Sequence, residues 1–174
     1  ELKVKHEISP LQALTEKFGA DKIKYTMGYA SGAVSYFEVL PPPYNTDSLR
    51  NEAVKLAASS DLVIYVGGLN KNTQQDSEGD DRRSYALQFE QDKLINELLK
   101  VNKKVVLVMI SGNAYGMPWI NQASTLVQSW YLGSESGHSI ANVLSGEVNP
   151  GGKLPFSFPV KLSDNGAHAC GPLS

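Results

Sequence analysis

The chain has 174 residues, 41% of them hydrophobic, which suffices for one globular domain with a sizeable core. A formal net charge of -2 offers no basic surface for nucleic acid or an anionic membrane, and no apolar run reaches the length of a membrane span. The lone Cys170 has no intrachain partner for a disulfide, so cysteine usage leaves the compartment open.

Residues 1–9, "ELKVKHEIS", lack the hydrophobic middle of a signal peptide, and the chain opens on Glu1, so a piece of a longer polypeptide is expected. Ser9 and Pro10 followed by "LQALTEKFGAD" predict a capped helix, with Leu11, Leu14 and Phe18 on one face and Gly19 as the stop. A short strand is expected at "KIKYTMGY", and the Gly and triple Pro of residues 28–45 predict an irregular connection. From Asp47 the pattern becomes periodic. "DSLRNEAVKLAASS" predicts an amphipathic helix, and "DLVIYVGG" is the continuous apolar run of a strand buried on both faces.

The unit then repeats. "YALQFEQDKLINELLKVN" predicts a helix presenting Leu87, Leu94, Ile95, Leu98 and Leu99, and "KKVVLVMISG" predicts a second buried strand. A third round follows, with a short helix in "AYGMPWINQAS", a strand in "TLVQSWYLG" and a helix starting at Ser134 or Glu135. "GEVNPGGKLPFSFP" predicts turns leading into an extended segment of architectural role. Alternating strands and helices imply an α/β three-layer sandwich with a mostly parallel, doubly wound sheet. In such folds ligand groups lie on loops leaving the carboxyl ends of the strands.

"QQDSEGDDRRS", residues 74–84, falls on such a loop and packs Asp76, Glu78, Asp80, Asp81, Arg82 and Arg83 around Gly79. A carboxylic acid protonates a leaving group at working pH only when burial or neighbouring negative charge lifts its pKa. Gly79 permits a positive φ, and the arginines could hold an aspartate as an oriented ion pair. The plainer reading is a solvated charged loop, and a third is a calcium loop, which the two arginines and the spacing oppose. "VGGLN" has neither dinucleotide nor P-loop spacing, and His6, His138 and His168 are far apart in sequence and predict no metal site. Ser111 is not in a nucleophile elbow. Trp119, Trp130 and Tyr131 could stack on a sugar ring; Trp119 reads better as core, and Trp130 reads equally as core or as ligand platform.

Several stretches in order resemble the C-terminal α/β sandwich domain of glycoside hydrolase family 3. They are "ISPLQAL", "DLVIYVGGLN", "SEGDDRRSYALQFEQDKLI", "VVLVMISGNAYGMPWI" and "LVQSWYLGSESGHSIANVLSGEVNPGGKLPFSFP". The resemblance implies a retaining, exo-acting β-glucosidase or β-xylosidase that needs no cofactor or metal and acts on terminal β-linked sugars of a glycoside or oligosaccharide. It implies a nucleophilic aspartate in a preceding barrel domain of the same polypeptide, and an acid/base glutamate in a loop similar to G-E-G-x-D-R. Glu78 matches that glutamate, and Asp81 and Arg82 match the D-R pair. Without the barrel, the chain alone is expected to be inactive. The opening strand usual in the family is not found before residue 10, so the sheet is expected to lack its first strand, leaving an edge that could pair with another chain. Periplasmic or secreted placement is a further implication of the resemblance. Two rival readings are a noncatalytic carbohydrate-binding or interaction domain that uses Trp130, and a flavodoxin-like nucleotide-binding domain.

Overall fold

The computed structural model of the chain describes residues 5–33, 35, 37–79 and 81–169. Asp80, Cys170 and the His168 side chain lie outside the described residues. Helices α1 (Pro10–Phe18) and α2 (Thr46–Ala58) precede strand β1 (Val63–Gly68), which is followed by α3 (Gln91–Val101), β2 (Val105–Ile110), β3 (Thr125–Gln128) and α4 (Ser136–Ser145). The strands form one parallel sheet in the order β1-β2-β3. Its register runs from Val63 opposite Val105 to Gly68 opposite Ile110, and from Val106 opposite Thr125 to Met109 opposite Gln128.

Period-two alternation sends the side chains of each strand to two helical layers. Val63 and Tyr65 of β1, with Val105, Leu107 and Met109 of β2, join Ala53 and Ala57 of α2 and Leu94, Ile95, Leu98 and Leu99 of α3 in the larger apolar cluster. Ile64 points to the opposite face and packs with Ile8, Ala13, Leu14, Ala141 and Leu144 of the α1 and α4 layer. The result is the three-layer α/β sandwich with a parallel sheet that the sequence predicts. Each fully buried Leu or Ile of these clusters contributes about 1.5–3 kcal/mol by leaving water.

Local chemistry sets the ends of the elements. Ser9 Oγ accepts from the Gln12 amide at 3.2 Å and caps α1, Pro10 occupies the first turn, and Gly19 ends the helix with φ 93°. The Asn45 side chain caps α2 by accepting from Ser48 N at 2.9 Å. The N-terminal segment docks on α4 through Ile8 N to Ser134 O at 2.8 Å and Gly137 N to Ile8 O at 3.0 Å. A Cβ at Gly137 would stand 2.3 Å from Ser9 O, so this approach requires glycine.

One strand, one helix start and one helix face differ from the sequence reading. Residues 22–29, expected as a strand, form none, and β1 has β2 as its only strand partner among the described residues. Helix α3 begins at Gln91 rather than near Tyr85, because Phe89 and Glu90 adopt left-handed φ values of 58° and 56°. Leu87 is buried ahead of the helix. In α1 the buried residues are Ala13 and Leu14, while Leu11 and Phe18 lie at the surface.

Candidate active site

β1 leads into the candidate loop through two glycines. At Gly68, φ is +130° and a Cβ would fall 2.0 Å from the Ile110 carbonyl oxygen; at Gly67 it would meet the Tyr65 hydroxyl at 2.2 Å. No larger residue fits this close strand-to-strand exit. Gln91, at the start of α3 and fully buried, secures the exit. Its Oε1 accepts from Gly68 N at 2.8 Å and from the Tyr65 hydroxyl at 2.7 Å, while Nε2 donates to Gly68 O at 2.8 Å and Gln88 O at 3.0 Å.

Residues 70–76 then fold back on themselves. Asn72 N donates to Asn70 Oδ1 at 2.8 Å, Asn70 N donates to Gln75 Oε1 at 3.2 Å, and Asp76 N donates to Asn70 O at 2.9 Å. This compact turn delivers the Asp76 carboxylate to the loops that leave β2 and β3. Asp76 Oδ2 accepts from Gly112 N at 2.6 Å and from the Tyr131 hydroxyl at 2.7 Å, and Oδ1 accepts from Asn113 Nδ2 at 2.9 Å. Burial, and then the bond to Asp76, pushes the Tyr131 hydroxyl well above the usual phenol range, so it serves as a donor.

Beyond Asp76 the chain rises to the surface. Glu78 and Asp81 are exposed, and Gly79 has φ +86° with open space where a Cβ would be. The chain returns to the protein at Arg82, whose Nη2 donates to Ala114 O at 2.5 Å. Burial lowers the guanidinium from its ordinary value, and Asp76 is the largest opposing influence. Arg82 is therefore a strut on a backbone carbonyl; among the described residues it forms no ion pair of the kind the sequence suggested. Further on, Gly116 N donates to Tyr85 O at 2.7 Å and the Tyr85 hydroxyl donates to Pro159 O at 2.9 Å, stitching the end of the loop to the last extended segment.

The aromatic candidates separate clearly. Trp119 is 0% exposed and its Nε1 donates to Asp92 Oδ1 at 2.8 Å, which places it in the core. Burial raises the Asp92 carboxyl, and the Trp119 bond opposes that shift. Trp130, at φ 55°, meets Phe156 edge-on at 5.4 Å between ring centroids and lies 6.4 Å from Phe158. Phe156 and Phe158 stack on each other at 5.5 Å, so the "LPFSFP" segment takes up much of the Trp130 ring surface. Tyr131 is the aromatic that reaches the charged loop. The calcium reading fails at Asp76, because both of its oxygens already receive N–H or O–H donors.

Between the loop and the ends of β1 and β2 lies a cavity of about 280 Å³, bordered by Gly68, Asn70, Gln75, Phe89, Ile110 and Tyr131. That is at the lower limit of ligand pockets, which span about 300–1,000 Å³. The sequence singled out the charged run that holds Asp76, Glu78, Asp81 and Arg82, and its family resemblance marked the last three; Tyr131 was named there only as a possible sugar platform. Asn113 and Gln91, which complete the fixtures of the loop, carry no signal of their own.

The chain is thus a parallel α/β sandwich with an anchored acidic loop at the carboxyl edge of its sheet. The family described as "Glycosyl hydrolase family 3 C-terminal domain" matches residues 1–171, and the chain belongs to that family. It is 56% identical, over its whole length, to beta-glucosidase BoGH3A of Bacteroides ovatus, of which it spans 23%. A beta-glucosidase of Kluyveromyces marxianus solved with glucose superposes with a TM-score of 0.66 at 40% identity, covering 71% of this chain and 15% of that one. The Bifidobacterium adolescentis GH3 beta-glucosidase superposes with a TM-score of 0.78 at 25% identity, covering 99% of this chain and 24% of that one. The chain thus spans about a quarter or less of the relatives it matches.

Proposed function

We propose that this chain supplies the general acid/base, Glu78, to a retaining, exo-acting β-glycosidase whose nucleophile lies in a barrel domain of the same polypeptide. The observation that carries this reading is the placement of Glu78 at the exposed crest of a loop fixed at both ends to the carboxyl edge of the sheet, in a chain of family 3. A β-glucoside is the favoured substrate class, since the relatives described above are β-glucosidases.

In the first step Glu78 donates its proton to the glycosidic oxygen while the barrel carboxylate attacks the anomeric carbon and the C–O bond to the leaving group breaks. In the second step Glu78, now a carboxylate, removes a proton from water, which displaces the enzyme carboxylate and releases the sugar with its configuration retained. Such a pair works at a separation of about 5–5.5 Å. Arg82 supports the loop through the Ala114 carbonyl, and Asp81 beside it is exposed. Residues 1–174 alone carry only one of the two carboxylates and are expected to turn over no glycoside. The Trp130 platform reading is disfavoured by the contacts of that ring with Phe156 and Phe158.

The test is Glu78→Gln in the full-length polypeptide, assayed as kcat/KM on two β-glucosides. An alkyl or disaccharide substrate, whose leaving group needs the proton, should lose roughly 10²–10⁴-fold, the usual contribution of general acid catalysis. A dinitrophenyl glucoside, which leaves unprotonated, should lose far less. Equal small losses on both would remove Glu78 from the acid/base role.

A further inference from the structure

Between Asp76 and Arg82 the described residues 77–79 and 81 form an arch, and both of its ends rest on consecutive residues of the segment that leaves β2. Asp76 takes the Gly112 amide and the Asn113 side chain, and Arg82 grips the Ala114 carbonyl. Tyr131, from the segment after β3, closes the arrangement by donating to the same Asp76 oxygen as Gly112, at 2.7 Å. Among the described residues of the crest, Glu78 and Asp81 are exposed and Gly79 has nothing within 4 Å of a would-be Cβ. The hydrogen bonds that hold this arch among the described residues lie at its ends, Asp76 and Arg82.

We propose that Asp76 is the positioning residue of this site: its carboxylate, held by the Gly112 amide, Asn113 and Tyr131, sets where Glu78 meets the glycosidic oxygen. The proposal rests on the acid/base reading of Glu78. Asp76 is placed as a support rather than as the acid, because its two oxygens are taken up by an amide N–H, a carboxamide N–H and a phenol O–H of the protein itself. Charge-assisted bonds from main chain and side chains of two different loops are the means by which a short exposed arch is held to the tolerance, about 0.5 Å, that a catalytic group demands. A misplacement of about 1 Å can reduce rate by about 10²-fold.

Asp76→Ala and Tyr131→Phe in the full-length polypeptide test this, with kcat/KM measured on an alkyl β-glucoside and on a dinitrophenyl β-glucoside. Asp76→Ala should lower the first by about 10²-fold, the penalty of a misplaced group, and the second by only a few fold. Tyr131→Phe removes one of the donors without disturbing the others, and should show the same preferential loss to a lesser degree. It carries the test if Asp76→Ala does not fold. Losses of equal size on the two substrates, or unchanged kinetics in Tyr131→Phe, would overturn the proposal. Glu78→Gln measured alongside separates the two readings. If it shows leaving-group dependence while the Asp76 and Tyr131 variants show none, positioning fails and the acid/base stands; if Glu78→Gln shows none, the acid/base reading itself falls.

Discussion

Gln91 shows how much of this edge depends on a single uncharged side chain. It is fully buried, and its carboxamide satisfies both main-chain groups of Gly68 and the Tyr65 hydroxyl. Replacing it with leucine keeps the volume but leaves those groups buried without partners, at about 1–3 kcal/mol for each group that finds no other partner. Gln91→Leu should therefore lower unfolding free energy by about 3 kcal/mol in denaturant titration; a loss below about 0.5 kcal/mol, the range of an ordinary surface substitution, would show that water replaces the carboxamide. In the sequence Gln91 is one polar residue in "FEQDKLIN", indistinguishable from a solvent-facing helix position. Its role follows from the close exit of β1, where the double glycine leaves room for a carboxamide, and pairing across 23 residues cannot be read from local pattern. Glu78 is legible for a different reason: the charged run marks its loop, and the resemblance of "SEGDDR" to a family motif singles it out within that run.

At the scale of elements, the strands of the parallel sheet and the caps of α1 were legible because buried runs and Ser-Pro starts are local signals. The strand expected at residues 22–29 does not form, because a strand needs a neighbour to complete its ladder and a short local stretch does not reveal one. The histidines, scattered in sequence, give another instance. His6 Nε2 lies 2.5 Å from Glu135 Oε1, His138 Nδ1 lies 2.7 Å from Glu135 Oε2, and His138 Nε2 lies 3.1 Å from Glu16 Oε2. This exposed chain of groups links the N-terminal segment, α1 and the start of α4. Hydrogen bonds to Glu16 and then Glu135 raise the His138 pKa above its ordinary 6.5. The Gln12 and His138 bonds lower Glu16, and the His138 and His6 bonds lower Glu135, from an ordinary 4.5. A raised imidazole stabilises fully below pH 6.5 and loses its effect as pH rises through the folded value; lowered carboxylates stabilise above pH 4.5 and lose theirs as pH falls through the folded values. The Tm difference between the wild type and His138→Gln should therefore be largest between about pH 4.5 and 6.5 and shrink on both sides. A difference that stays constant from pH 5 to about pH 9 would mean that the imidazole contributes packing rather than charge.

For the molecule as a whole, the central strand β2 joins the two layers. Leu107 and Met109 serve the α2 and α3 face at 0% exposure, while Val108, equally buried, points to the other face. Truncating Leu107 to alanine opens a hole where the sheet has no freedom to close, and should cost about 3 kcal/mol in a denaturant titration of the folded chain. A loss below about 1 kcal/mol would indicate a core that repacks readily. The layered architecture was readable from the sequence because it depends only on the order and burial of the strands. The site was readable only in its charged residues, because its supports come from three separate connections that meet at one edge.

The arch between Asp76 and Arg82 also constrains how the gene for this protein can drift. A residue added or deleted within 77–81 lengthens or shortens the span between fixed ends by up to about 3.5 Å of chain, several times the displacement that a proton transfer tolerates. A length change at 150–152, where the glycines Gly151 and Gly152 have open space around them, leaves those ends where they are. Two exposed stretches of similar polarity therefore face opposite regimes of selection: substitutions without length change in the first, and free variation in length in the second.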